Sequence, residues 1–417
     1  MKNKKTIVNL LIALSTFLII SFFGCSPDVT PSLYDNVGDK GTPAEITSAL
    51  SVSGVTAGTP TGYAGITKIS IKGKNFAAKA ENNYVYFGSA KAKVLTASTT
   101  ELLVQAPIIY GDTLLLKIAK PHVEEYSNSV NYKLTAAINN HYPFLANQEP
   151  HAVTCDANGA VYFSLVVSGV GEGVWKIDGD SLSLFAPKKS ETFYSDLKYH
   201  SDGYILGVAP RYKYAVFQLT EGQSPKVWST AKNRKIVFQA LDFDKNKNVW
   251  AAGKGGQIAC FKPDKSSKLF NYENVITALR VYNDYLYAIA GENGAQKVIR
   301  FKIYSADSLG TPENYFDFSA NMGQGKVAKS LTFAADGKMF ITTAPLLEGT
   351  EYTDPILFVN ADGTFGTWYA GLINAAISDI TWTTGTNAFV IQEKDANHQQ
   401  LILKIDMERN GAPQYGR

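Results

Sequence analysis

Between Val153 and Ile380 one short apolar motif returns six times: Val153-Thr-Cys155, Leu197-Lys-Tyr199, Leu241-Asp-Phe243, Leu279-Arg-Val281, Leu331-Thr-Phe333 and Ile380-Thr-Trp382. The steps between anchors are 44, 44, 38, 52 and 49 residues, the spacing of four-stranded propeller blades. Each anchor leads into an Asn-, Asp- or Gly-bearing turn, such as Asp156-Ala-Asn-Gly159, Asn283-Asp284 or Ala335-Asp-Gly337. These residues tolerate the positive φ of tight hairpins. A second and a third strand follow, rich in β-branched and aromatic residues, for example Val161-Tyr-Phe163 and Val174-Trp-Lys-Ile177.

The fourth strand decides the topology. Five modules supply one: Leu182–Phe185, Lys226–Trp228, Lys268–Phe270, Asn314–Phe316 and Phe365–Trp368. The sixth has none after Asp406, and Met407–Arg417, with Gly411, Pro413 and Gly416, reads as coil. Upstream of the first module, His141–Leu145 has the length and character of the missing strand. The expectation is a six-bladed ring closed by that segment, because an unfinished last sheet would leave an open edge.

A chain of 417 residues with 45% hydrophobic and 18% charged residues can build real cores. Forty basic residues oppose 37 acidic ones, but Lys2, Lys4 and Lys5 precede Cys25 with no acid beside them. Without that leader the charges balance, and no basic stripe supports nucleic-acid binding. The leader has a positive start and an apolar stretch, Ile7–Phe23, ending at Gly24-Cys25. This resembles the lipobox of bacterial lipoproteins, which implies removal of residues 1–24 and lipidation of Cys25. Several acyl chains on one residue hold a protein on a membrane where a single chain does so only marginally. An uncleaved anchor helix is the alternative. Cys155 and Cys260 fall in different modules and read as small core residues rather than a disulfide or metal pair.

After a Pro- and Gly-bearing tether (25–43), residues 44–134 carry a different pattern of short, closely spaced strands, as in an immunoglobulin-like sandwich. Gly65, Ile69, Ile71, Gly73, Asn75, Phe76, Val85, Phe87-Gly88, Pro107, Gly111 and Ser127-Asn128 make this stretch similar to the IPT/TIG family. The resemblance implies a spacer or interaction module. In residues 135–417, Asp156–Tyr162 and Ala335–Phe340 resemble the repeats of six-bladed NHL and gluconolactonase-like propellers. The fold expected is therefore all-β, a sandwich followed by a propeller.

In such a ring the loops between first and second strands share one face, and here they are short. The loops on the other face are long and varied, as binding loops are. Residues just before the opening strands, His151, Ser195, Asp196, Gln239, Thr277, Lys329, Ser378 and Asp379, are expected at the channel mouth of that face. Asp196 and Asp379 flank the first blade and are expected to approach each other with His151 between them. The alternative is that these side chains cap strand ends and solvate a channel. Arg211, Tyr212, Tyr214 and Tyr352 lie in long loops, where an aromatic face can stack on a sugar or anchor a protein.

No HExxH, GxSxG, Walker or CxxC motif is present. The leading expectation is a binding protein anchored by lipid to the outer membrane, its long-loop face engaging a glycan or an envelope protein. A structural assembly lipoprotein without a small ligand ranks second. The propeller resemblance implies a third reading, a lactonase-like hydrolase using Asp196 and Asp379 on an ion with His151 assisting proton transfer. The leading reading needs no cofactor or metal.

Overall fold

The computed structural model describes residues 41–417 except 293–294, 324 and 348–351. The leader, Cys25 and nearly all of the tether lie outside the described residues. Two bodies follow one another along the chain, and both are built from strands.

Residues 45–135 form a sandwich of two sheets. One holds Glu45–Ser51, Lys68–Lys74, Glu101–Gln105 and Lys93–Ala97; the other holds Thr61–Tyr63, Val130–Thr135, Gly111–Ala119, Tyr84–Phe87 and Ala90–Lys91. Alternate residues turn inward, so Ile69, Ile71, Val85, Phe87, Leu102, Val104, Leu116, Ile118 and Tyr132 make one core. The last strand ends at Thr135, and two residues later the chain enters the propeller. Tyr63 and Ile66 of the sandwich pack on the core of the sixth blade, and Tyr63 donates its hydroxyl to Asp406 Oδ2 at 2.5 Å.

The propeller has six sheets, each of four strands except the fourth, which adds the short strand Ser308–Leu309. The first contains Gln148–Cys155, Val161–Val167, Val170–Asp178 and Ser181–Ala186. The opening strands of the next five are Asp196–His200, Val237–Phe243, Ile276–Tyr282, Lys326–Phe333 and Ile377–Trp382. Each opening strand touches the next, and the sixth touches the first, so the ring is closed. The turns behave as their residues dictate: Asn283 and Asp284 take φ of 46° and 60°.

Closure is made by a strand from upstream of the first blade, but not by the segment anticipated. Ile138–Asn140 pairs antiparallel with Leu403–Ile405 and completes the sixth sheet. His141 adds one more bond, from its N–H to Ile402 O at 2.8 Å; then the chain bends. The reason is Pro143, which has no N–H to give a ladder. Of residues 142–145 only Phe144 is buried, packing edge-on against Phe163 at 5.4 Å.

The segment read as coil is irregular, as expected, but it is tightly held. Residues 407–417 run under the tight-turn face and meet the blades in reverse order. Met407 N–H donates to Thr386 O in blade six, Ala335 N–H of blade five to Asn410 O, and Arg280 of blade four to Pro413 O. Gly416 O then accepts from Lys247 of blade three and from Ser201 N–H of blade two, and Arg417 reaches Cys155 O of blade one at 3.0 Å. The strap lies so close that a Cβ on Gly411 would sit 2.2 Å from Thr383 O, and one on Gly416 2.4 Å from Tyr199 O. The two glycines mark close approach, not disorder.

His141 sits at the seam where the ring closes. Its ring lies 4.6 Å from that of Phe389, its Nε2 is buried without a hydrogen-bond partner, and burial lowers its pKa to about 4. A histidine held neutral in the fold but free to charge when unfolded adds stability above about pH 6.5, which is lost as the pH falls towards 4. Thermal melts of the wild type and His141→Phe between pH 7.5 and 4 should diverge across that window. The wild type should lose on the order of 1–2 kcal/mol more than the variant, allowing for partial exposure.

Candidate functional site

The opening strands line an axial chamber of about 200 Å³, and above it on the long-loop face lies a vestibule of about 350 Å³. Five residues border both spaces: Ser195, Gln239, Thr277, Lys329 and Ser378. Each stands two positions before its blade's anchor, as does His151 in the first blade. Six equivalent positions therefore form one neck.

The local cause is a repeated irregularity of pairing. Register shifts fall on Gln239, Thr277, Lys329 and Ser378 in blades three to six, and on Ala152, with φ of 47°, beside His151 in blade one. In blade two both Ser195 and Asp196 are matched to Val208. A bulge re-aims a side chain that a regular strand would direct to a sheet face. The sequence anticipated these positions at the channel mouth from their offset to the anchors; the bulges carry no sequence mark of their own.

Below the neck the chamber is charged, and most charges are engaged. Asp196 pairs with Lys198 and accepts the Leu241 N–H at 2.8 Å. Burial lifts the Asp196 carboxyl to a pKa of about 6, with Lys198 opposing the shift and Asp379 across the chamber adding to it. Asp379 Oδ2 accepts the Val153 N–H at 2.8 Å, while Oδ1 takes Ser330 Oγ–H at 2.9 Å and the Ile380 N–H at 2.8 Å. Arg280 and Asp242, both buried, pair at 3.0 Å, and Asp242 also accepts the Val281 N–H. The strap forms the floor: Gln414 donates to Thr381 Oγ1 at 3.4 Å and to Trp382 O at 3.2 Å.

Asp196, Asp379 and His151 all line the chamber, and the two carboxylates feel each other's charge, but His151 is not held between them. Both carboxylates are turned to backbone N–H groups of neighbouring blades, and the His151 ring stacks on Phe193 at 4.7 Å beside Gln400. Burial lowers the His151 pKa, so the ring is neutral at pH 7. Among the described residues no group of three or more His, Cys, Asp and Glu side chains has the geometry of a metal site. The ion-holding role implied for the two aspartates therefore has no ligand set here.

The loop aromatics are divided. Arg211 is exposed and donates to Ser190 O at 3.0 Å; Tyr212 is half-buried against Phe217 at 5.0 Å; Tyr214 is half-buried with the Arg234 guanidinium over its ring. Tyr352 is not an exposed platform. It is 6% accessible, and its hydroxyl donates to Thr343 Oγ1 at 2.7 Å, filling the core behind its own loop. Cys155 and Cys260 are free, buried thiols, and burial raises the pKa of both.

The sandwich and the ring each have counterparts among known proteins. Residues 51–135 match the IPT/TIG domain family. Among solved structures, a Bacteroides thetaiotaomicron protein of unknown function aligns with TM-score 0.50 and 12% identity over 88% of this chain and 99% of its own. A second protein of that organism, assigned only provisionally as a phosphatase, aligns with TM-score 0.53 and 10% identity over 88% and 98%. An auxiliary nutrient binding protein, again from that organism, aligns at TM-score 0.48 and 13% identity over 88% and 98%, too distant to bear an argument. No curated protein matches the sequence. The class is thus a two-domain, all-β protein, an IPT/TIG-type sandwich joined to a propeller. At these identities the shared feature is the fold alone.

Breaking the Arg280–Asp242 pair from one side leaves a buried carboxylate with only the Val281 N–H. Arg280→Leu should cost about 3–5 kcal/mol in urea unfolding. Adding Asp242→Asn should recover a large part, since the amide oxygen still accepts from Val281 and carries no charge.

Proposed function

We propose that this chain is a lipid-anchored binding protein of the outer cell envelope, with the sandwich as spacer and the propeller's long-loop face engaging a glycan or an envelope protein. The observation that carries this reading is the axial chamber, floored by the 407–417 strap on one face and continuous with a vestibule on the other. Concave, polar-lined spaces on a rigid ring are where such proteins take ligands. Supporting it at the other end of the chain, the apolar run before Gly24-Cys25 supplies the anchor signal. Among the described residues no helix is long and apolar enough to cross a membrane.

Two measurements test the parts separately. Cys25→Ala should abolish metabolic labelling by palmitate and move the protein out of the detergent-phase membrane fraction; unchanged labelling removes the anchor. For the binding face, the full chain should retain material from a glycan array or envelope extract. Retention should drop about tenfold in Arg211→Ala/Tyr212→Ala or in Gln239→Leu. Equal retention by wild type and both variants would place the contact elsewhere.

A further inference from the structure

Taking that binding reading as its ground, we infer that the neck holds a small uncharged molecule bearing several hydroxyl groups, a free sugar or the terminal sugar of a chain. The hydroxyls of three blades repeat one arrangement. Ser195 Oγ–H donates to Val208 O at 3.1 Å, Thr277 Oγ1–H to Ile289 O at 3.5 Å and Ser378 Oγ–H to Ile391 O at 3.5 Å. The three carbonyls belong to equivalent residues, each paired with the position just before its anchor. With their protons committed to the sheet, these oxygens offer lone pairs to the axis. Gln239 adds a buried Oε1 that accepts no hydrogen bond. A buried acceptor left unmatched is costly, and a turn of the amide toward the neck lets a ligand donor relieve it.

Charge narrows the ligand further. A cation entering the neck finds no free carboxylate: Glu393 and Asp196 are taken by Lys329 and Lys198, and Asp379 already accepts three hydrogen bonds. An anion meets the acceptor oxygens and Asp379, and the cations that would welcome it are spoken for: Lys329 pairs with Glu393 at 3.2 Å, Lys198 with Asp196, and Arg280 with Asp242. A neutral donor-rich molecule meets neither penalty. The stacked His151–Phe193 pair gives the chamber one flat, weakly polar wall against which the apolar face of a ring can lie. The chamber admits one such ring, and the vestibule leaves room for whatever is attached to it.

The test is calorimetric titration of the full chain with glucose, galactose, mannose and xylose, with glucosamine and glucuronate as charged isosteres, and with linear oligomers of the neutral sugars. At least one neutral sugar should bind, with the amine and acid analogues about tenfold weaker or more. Gln239→Leu should weaken it about tenfold, and Thr277→Val and Ser378→Ala each severalfold, with melting temperatures lowered by no more than a few degrees, roughly the loss of one sheet hydrogen bond. Tighter binding of an oligomer identifies a chain end as the source, and equal binding a free sugar; both support the inference. A charged isostere binding as well as its neutral parent overturns it, as does full affinity in both Gln239→Leu and Thr277→Val. Capture of an envelope protein without any neutral sugar binding overturns the inference but leaves the binding reading in place. Retention of nothing by the long-loop face removes both.

Discussion

One kind of contact sets the geometry of the ring: a side chain on one blade bonding the backbone or side chain of the next, near the axis. Thr154 Oγ1 takes the Tyr199 N–H, Asp196 the Leu241 N–H, and Asp242 the Val281 N–H. Gln296 grips Ala328 through both its N–H and its C=O; Ser330 donates to Asp379; and Asp379 takes the Val153 N–H across the seam. All six boundaries are bridged. Apolar packing between blades is non-directional, so these bonds supply the register that packing alone leaves loose. They also engage both oxygens of Asp379 and one of Asp196, whose other oxygen takes Lys198, which is why the aspartates nearest the channel act as fasteners.

Because the carboxylates are turned sideways into neighbouring blades, the neck above them is left to hydroxyls, one amide, a neutral imidazole and a single paired lysine. The bulges make this division possible. In blades two, five and six the residue one place before the anchor, Asp196, Ser330 or Asp379, latches the next blade, while the residue two places before it faces the axis. Adjacent residues on one strand thus join the blades and line the neck separately.

Much of this architecture was legible because its signals are local and repeated. Six anchors with Asn, Asp and Gly turns located the blades, and a count of fourth strands required a borrowed one. The borrowed strand was placed three residues late, since His141–Leu145 looks more strand-like than Ile138–Asn140 and only backbone pairing exposes the effect of Pro143. The strap was missed because glycine and proline signal turns, and the same residues also permit close approach to another backbone. Tyr352 was misread because loop position does not reveal whether a side chain folds back into its loop. The neck residues were found by their offset, but the fate of each oxygen depends on pairing that no single sequence records.

The sixth blade joins residues 138–140 to residues 377–406, so its sheet brackets the entire ring. On a ribosome the sandwich can fold early, whereas the propeller holds unfinished edges until its last strands have emerged. The borrowed strand thus ties the first-made strand of the ring to the last, and circular closure waits until residues 377–406 have been made.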